Sequence, residues 1–147
     1  EIIDLAISHV SLIIENNNGN IITEKDACDS NVIGNETHLI NVIVNILDNA
    51  IKYNDNSPEI LIKTLNVGSR IQIEIKDNGI GMTKAVQSKI FEKFYRKQTG
   101  DLHDVKGHGL GLAYVKKIIA FHNGNITVDS AVGKGSKFTI QLNTLTK

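Results

Sequence analysis

The chain has 147 residues, enough for one domain with a substantial core, and 41% of them are apolar and 22% charged. Its formal net charge is zero, which argues against general binding to nucleic acid or to anionic membranes. Cys28 is the one cysteine, so no disulfide can close within the chain, as suits a reducing compartment, and no apolar run reaches the ~18 residues of a membrane span.

No signal peptide opens the chain, and it starts at Glu1 rather than Met, so a piece of a longer protein is expected. No repeat, low-complexity stretch or linker divides it. Over residues 1–15, Ile2, Leu5, Ala6, Val10 and Ile13 recur at helical spacing. Residues 16–20 are rich in asparagine and contain Gly19, which predicts a turn. Residues 21–27 and 31–33 read as short strands. Residues 36–53 predict a second helix, with Leu39, Val42, Ile43, Ile46, Leu47, Ala50 and Ile51 as a broad apolar stripe.

Asn45, Asn49 and Lys52 stand at i, i+4 and i+7 of that helix, so they share one side. Asparagine is a mediocre helix former. A solvated face is the plain explanation. The functional one is a pair of amide oxygens for a hard cation such as Mg²⁺, which keeps waters and takes further ligands from phosphates. Lys52 would then neutralise phosphate charge.

Ile60, Ile62 and Leu65, then Ile71, Ile73 and Ile75, alternate about a turn at 67–70 and predict a hairpin. Its second strand runs into 77-DNGIGM-82. Asp77 there is either the start of a plain Asx turn or an acceptor for an exocyclic amine, with Gly79 and Gly81 letting a flat ligand approach. Residues 97–106 are polar and aperiodic and read as a mobile loop. Gly107, Gly109 and Gly111 precede a third helix predicted over 110–122, a place that favours anions or acts as a hinge. The spacing matches neither a dinucleotide fingerprint nor a Walker loop. A last hairpin pairs 126–130 with 136–142. Three helices and about six strand segments, mostly joined by hairpins, predict an α+β fold.

Five segments together resemble the ATP-binding catalytic domain of bacterial sensor histidine kinases, within the gyrase, Hsp90, histidine kinase and MutL superfamily. NVIVNILDNAIKY at 41–53, DNGIGM at 77–82, IFEKFYR at 90–96, GHGLGL at 107–112 and GKGSKFTI at 133–140 are similar to its N, G1, F, G2 and last glycine boxes, in order. The resemblance covers nearly the whole chain. It implies a two-layer α/β sandwich: a mixed, mostly antiparallel sheet of about five strands, covered on one face by three helices and closed by a mobile ATP lid at 97–106.

The resemblance also implies roles. Asp77 binds the adenine amino group, with Ser136 supporting it through water. Gly79, Gly81 and Met82 shape the adenine pocket. Asn49 is the Mg²⁺ ligand, with Asn45 as a second candidate. Lys52 and Tyr53 line the phosphate and base sides. Gly107, His108, Gly109, Leu110, Gly111 and Leu112 form the phosphate segment. Arg96 reaches the γ-phosphate, and Phe91 and Phe94 dock the base of the lid. The catalytic set is Asn45, Lys52 and Arg96. His108 departs from the small residue usual in the family.

ATP-hydrolysing members and serine kinases carry a glutamate one turn before the Mg²⁺ asparagine. Here Asn45 stands there, and an amide cannot act as a general base. A neutral histidine is already nucleophilic and needs less help from a base. The resemblance therefore implies transfer of the γ-phosphate of Mg·ATP to a histidine on a separate helical dimerisation domain that this chain lacks, and onward, indirectly, to a response regulator. His9 lacks the acceptor motif, so the chain alone is not expected to autophosphorylate. It is expected to be one domain, monomeric, the cytoplasmic part of a homodimeric sensor anchored in the inner membrane. The alternatives are a degenerate kinase module that senses nucleotide, or an ATPase of the same superfamily.

Overall fold

The computed structural model describes residues 1–93 and 111–145. The elements run α1 (Ile2–Asn16), β1 (Asn20–Lys25), α2 (Glu36–Lys52), β2 (Glu59–Val67), β3 (Arg70–Asp77), α3 (Lys84–Gln87), α4 (Gly111–Phe121), β4 (Asn125–Ala131) and β5 (Gly135–Asn143). The strands form one sheet in the order β1-β2-β3-β5-β4. β1 runs parallel to β2, and the remaining pairs are antiparallel. The parallel pair needs a crossover, and α2 supplies it.

Alternation sorts the sheet into two faces. Ile60 and Ile62 of β2, Ile71, Ile73 and Ile75 of β3, and Phe138, Ile140 and Leu142 of β5 point inward and are buried. Ala6, Val10 and Ile14 of α1, the apolar stripe of α2, and Leu112, Val115 and Ile119 of α4 close on that face. Each buried Ile or Leu contributes about 1.5–3 kcal/mol. The outer face carries a polar ladder in which Gln141 donates to Gln72 and Gln72 to Glu74, both at 2.8 Å. This is the expected α+β sandwich, with three longer helices on one face of a five-stranded sheet. Among the described residues no helix is long and apolar enough to cross a membrane.

Asn35 caps α2, its side chain accepting from His38 N at 2.9 Å, so the helix starts one residue after a polar stop. Three expectations are corrected. β1 ends at Lys25, and residues 31–33 form no strand. The Asn66 side chain is the reason for the first: it accepts from Cys28 N and Asp29 N and donates to Asp29 O, so the loop bonds to an amide instead of a ladder. At 31–33 the backbone contact is that of Asn31 O, which accepts from Leu145 N beyond the end of β5. The short helix α3, capped by Thr83, was not expected, because four residues carry no period. The expected lid at 97–106 lies outside the described residues.

Candidate functional site

Among the described residues the buried polar ones are Thr64, Asp77 and Ser136, and the last two lie side by side at one end of the inner face. Asp77 is 9% exposed. Its Oδ1 accepts from Gly79 N at 2.8 Å and from Ser136 N at 3.2 Å. Its Oδ2 has no protein partner among the described residues, and no sealed side-chain polar atom goes unpaired, so Oδ2 opens on solvent. Burial pushes the Asp77 carboxyl above its ordinary value of 3.8, and the two backbone N–H donors pull the other way.

The backbone around Asp77 closes on itself. Gly81 has φ +71°, and a Cβ there would fall on the carbonyl of Ala131. Gly135 has φ +81°, and a Cβ there would fall on the carbonyl of Asp77. No other residue fits either place. The turn after β3 also meets α2. Ile80 N donates to Tyr53 O at 3.0 Å, and a Cβ on Gly79 would lie 2.5 Å from Tyr53 O and 2.9 Å from Asp77 Oδ1.

Tyr53 caps α2, and Asn49 and Asn45 stand one and two turns back on the same side. Both asparagines are half-buried. Asn45 Nδ2 donates to Asn41 O at 2.7 Å, which turns Oδ1 the other way. That oxygen lies 2.9 Å from where a Cβ on Gly111 would sit, so Asn45 faces the start of α4. One side of α2 thus runs from the start of α4 to the Asp77 turn. Lys52 Nζ lies 2.7 Å from Asp48 Oδ2. Met82 and Leu112 are buried in the core. Phe91 packs edge-on against Phe138, with ring centroids 6.2 Å apart, and Lys116 Nζ lies 5.7 Å from its centroid. Phe94, Arg96, Gly107, His108, Gly109 and Leu110 lie outside the described residues.

A profile described as histidine kinase-, DNA gyrase B- and HSP90-like ATPase matches residues 34–146. The chain belongs to this ATPase family. It is 44% identical to sensor protein RprX of Bacteroides fragilis over 97% of its own length, and it spans 28% of the length of RprX. Among solved structures it is similar to the mycobacterial sensor histidine kinase MprB, with a TM-score of 0.82, 26% identity, and 99% of this chain and 94% of that one covered. ShkA, solved full-length in complex with AMPPNP, shares the fold with a TM-score of 0.84 at 21% identity, covering 99% of this chain and 30% of that one.

Several side chains beside this family site were not singled out in the sequence. Ser130 Oγ lies 2.8 Å from Ser136 Oγ, donates to Gly135 O at 2.8 Å and accepts from Met82 N at 2.9 Å. Gln87 Nε2 donates to Met82 O at 3.1 Å and to Ser130 O at 2.9 Å. Ser130 was open to discovery: a hairpin centred on Gly133 sets it opposite Ser136. His38 and His122 are both engaged. His38 Nδ1 lies 2.9 Å from Tyr114 Oη, and His122 Nε2 accepts from Asn35 N at 3.1 Å, so both join α2 to α4.

The arrangement places acceptors, Asp77 and Ser136, at one end and the asparagines of α2 along its side. A buried carboxyl beside an approachable turn can accept from a donor such as an amine. No carboxylate stands at position 45 to take a proton from water. Asp48, the nearest acid in sequence, is held by Lys52.

Proposed function

We propose that the chain binds Mg·ATP and presents its γ-phosphate to a histidine on a helical dimerisation domain outside this chain, as the catalytic domain of a two-component sensor histidine kinase. The observation that carries this is the buried Asp77, with Oδ2 open and its turn bonded to the α2 edge that holds Asn49 and Asn45. Asp77 Oδ2 accepts from the adenine amino group. Ser136 supports that contact, and the turn at Gly79, Gly81 and Met82 forms the floor under the ring.

The amide oxygens of Asn49 and Asn45 fit a hard cation carried in by phosphates. Asn45 has its nitrogen committed to Asn41 O and its oxygen turned toward a place kept open by Gly111. Mg²⁺, when bound, offsets the charge of the phosphates. Lys52, on the same side of α2 and paired with Asp48, is the cation assigned to the phosphates. Arg96 and the segment Gly107, His108, Gly109, Leu110, Gly111 and Leu112 complete the phosphate side.

In the transfer, the bond from the γ-phosphorus to its bridging oxygen breaks, a bond to the histidine nitrogen forms, and ADP leaves. The chain contributes position and charge and no base. Asn45 cannot activate water, so the phosphoryl group is kept for the histidine. The acceptor belongs to a homodimeric, membrane-anchored sensor with this domain on its cytoplasmic side, and a response regulator takes the phosphate next. The test is transfer in trans. Labelled ATP is expected to leave no stable phosphate on this chain alone and to label a dimerisation domain mixed with it. Stable label on this chain alone, or steady hydrolysis lost in Asn45→Ala, contradicts the proposal.

A further inference from the structure

Ser130 lies outside every glycine-rich segment, yet its hydroxyl joins three of the walls around Asp77. Its neighbours are Met82 N at 2.9 Å, Gly135 O at 2.8 Å and Ser136 Oγ at 2.8 Å. Proton counting settles the direction of each bond. Met82 N–H can only donate, and the Gly135 carbonyl can only accept. Ser130 has one proton. If it went to Ser136, the Ser130 oxygen would face the Gly135 oxygen at 2.8 Å with no hydrogen between them, which is unfavourable. The proton therefore goes to Gly135, and Ser136 must donate its own proton to Ser130.

The consequence falls on Ser136, 9% exposed and donating its backbone N–H to Asp77 Oδ1. Its hydroxyl proton is spent inside the protein, and only lone pairs remain on Ser136 Oγ. Asp77 Oδ2 is likewise an acceptor. We propose that Ser130 is a specificity-determining residue: by fixing Ser136 Oγ as an acceptor it makes this end of the site acceptor-only, selecting purines that carry an amino group at position 6 over those with a carbonyl there. The inference rests on the nucleotide site proposed above. Gln87 is the positioning residue behind it. Its two amide hydrogens go to Met82 O and Ser130 O, so the Met82 residue is held at N–H by Ser130 and at C=O by Gln87.

The experiment compares dissociation constants for ATP and inosine 5′-triphosphate, which has a carbonyl in place of the amine, in the chain and in Ser130→Ala, with thermal melting as the check on folding. The unaltered chain is expected to prefer ATP. In Ser130→Ala the Ser136 hydroxyl can turn and donate, so the preference is expected to narrow about five- to tenfold, the size of one net hydrogen bond. Ser130→Thr, which keeps the hydroxyl, is expected to restore it. A purely structural Ser130 would weaken both nucleotides alike. If Ser130→Ala does not fold, Ser136→Ala gives the second test: the preference is expected to narrow there too, with Ser130→Thr leaving it unchanged in the native background. An unchanged ratio in folded Ser130→Ala, or in Ser136→Ala, overturns the proposal. An unaltered chain that binds ATP and inosine triphosphate equally overturns the base role of Asp77 itself, and the two failures are told apart by that control.

Discussion

The floor beneath Asp77 and the α2 edge beside it are built in opposite ways. At the floor, backbone closes on backbone: Gly81 against the carbonyl of Ala131, Gly135 against the carbonyl of Asp77. At the edge, a helical backbone faces a side chain: a Cβ on Gly111 would lie 2.9 Å from Asn45 Oδ1. Carbonyls in a sheet and a hairpin cannot step aside, whereas an amide at the end of a side chain can rotate. The floor is therefore set once, at folding. At the edge the neighbour is the Asn45 side chain, oriented by its bond to Asn41 O.

The same substitution separates the two most sharply. Gly81→Ala puts a Cβ on the Ala131 carbonyl at positive φ, and a loss of about 3 kcal/mol or more is expected, read as a large drop in the denaturant midpoint. Asp77→Asn comes next. It is expected to weaken ATP binding about 10–100-fold by calorimetry, the worth of a hydrogen bond to a charged group. The unliganded fold should lose nothing, because an uncharged amide in place of a buried carboxylate removes a desolvation cost while Oδ1 still accepts from Gly79 and Ser136.

The pH dependence follows from the same burial. The folded Asp77 carboxyl titrates above its unfolded value of 3.8. Its proton therefore stabilises the fold: that contribution is full below 3.8 and is lost as pH rises through the raised folded value. Binding runs the other way, since the adenine amine needs the ionised form. ATP affinity is expected to fall on acidification earlier than for an ordinary aspartate, and the slope is expected to vanish in Asp77→Asn.

Gly111→Ala is the counterpart at the edge. Gly111 is the first residue of α4, where alanine's gain over glycine falls below the ~1 kcal/mol of a helix interior, so melting temperature should change little. The added Cβ presses on Asn45 Oδ1, so Mg·ATP affinity should fall while Mg-free nucleotide affinity changes less. The smallest effect is expected from Asp48→Ala. It removes the pair with Lys52, worth about 0.3–0.5 kcal/mol, and is read as a small shift in melting temperature.

The fold was legible wherever a period was long enough. The seven-residue stripe of α2 and the alternating isoleucines of β2 and β3 located those elements within a residue or two. The segment at 31–33 misled because two β-formers, Val32 and Ile33, without a ladder make no strand, and Asn31 O bonds instead to Leu145 N; the end of β1 was misplaced because Asn66, far away in sequence, takes the backbone of Cys28 and Asp29. Asp77, Asn45 and Asn49 stood out as candidates because an acid at a predicted strand's end and paired amides in an apolar helix break the local pattern; the roles given to them came from the resemblance, and the burial of Asp77 from the fold. Ser130, Gln87 and Tyr114 break none. A serine in a strand, a glutamine on a one-turn helix and a tyrosine on an amphipathic helix are ordinary. Their contacts exist only once β4, α3 and α4 are in place.

Thermal melting with nucleotide tests the central claim, that Asp77 and the α2 edge together hold Mg·ATP, most directly. The unaltered chain at a hundredfold excess over its dissociation constant should gain about 2.7 kcal/mol and melt at a higher temperature, less so without Mg²⁺, and Asp77→Asn should show little gain at the same concentration. No rise for the unaltered chain with millimolar Mg·ATP, or an equal rise in Asp77→Asn, would contradict it.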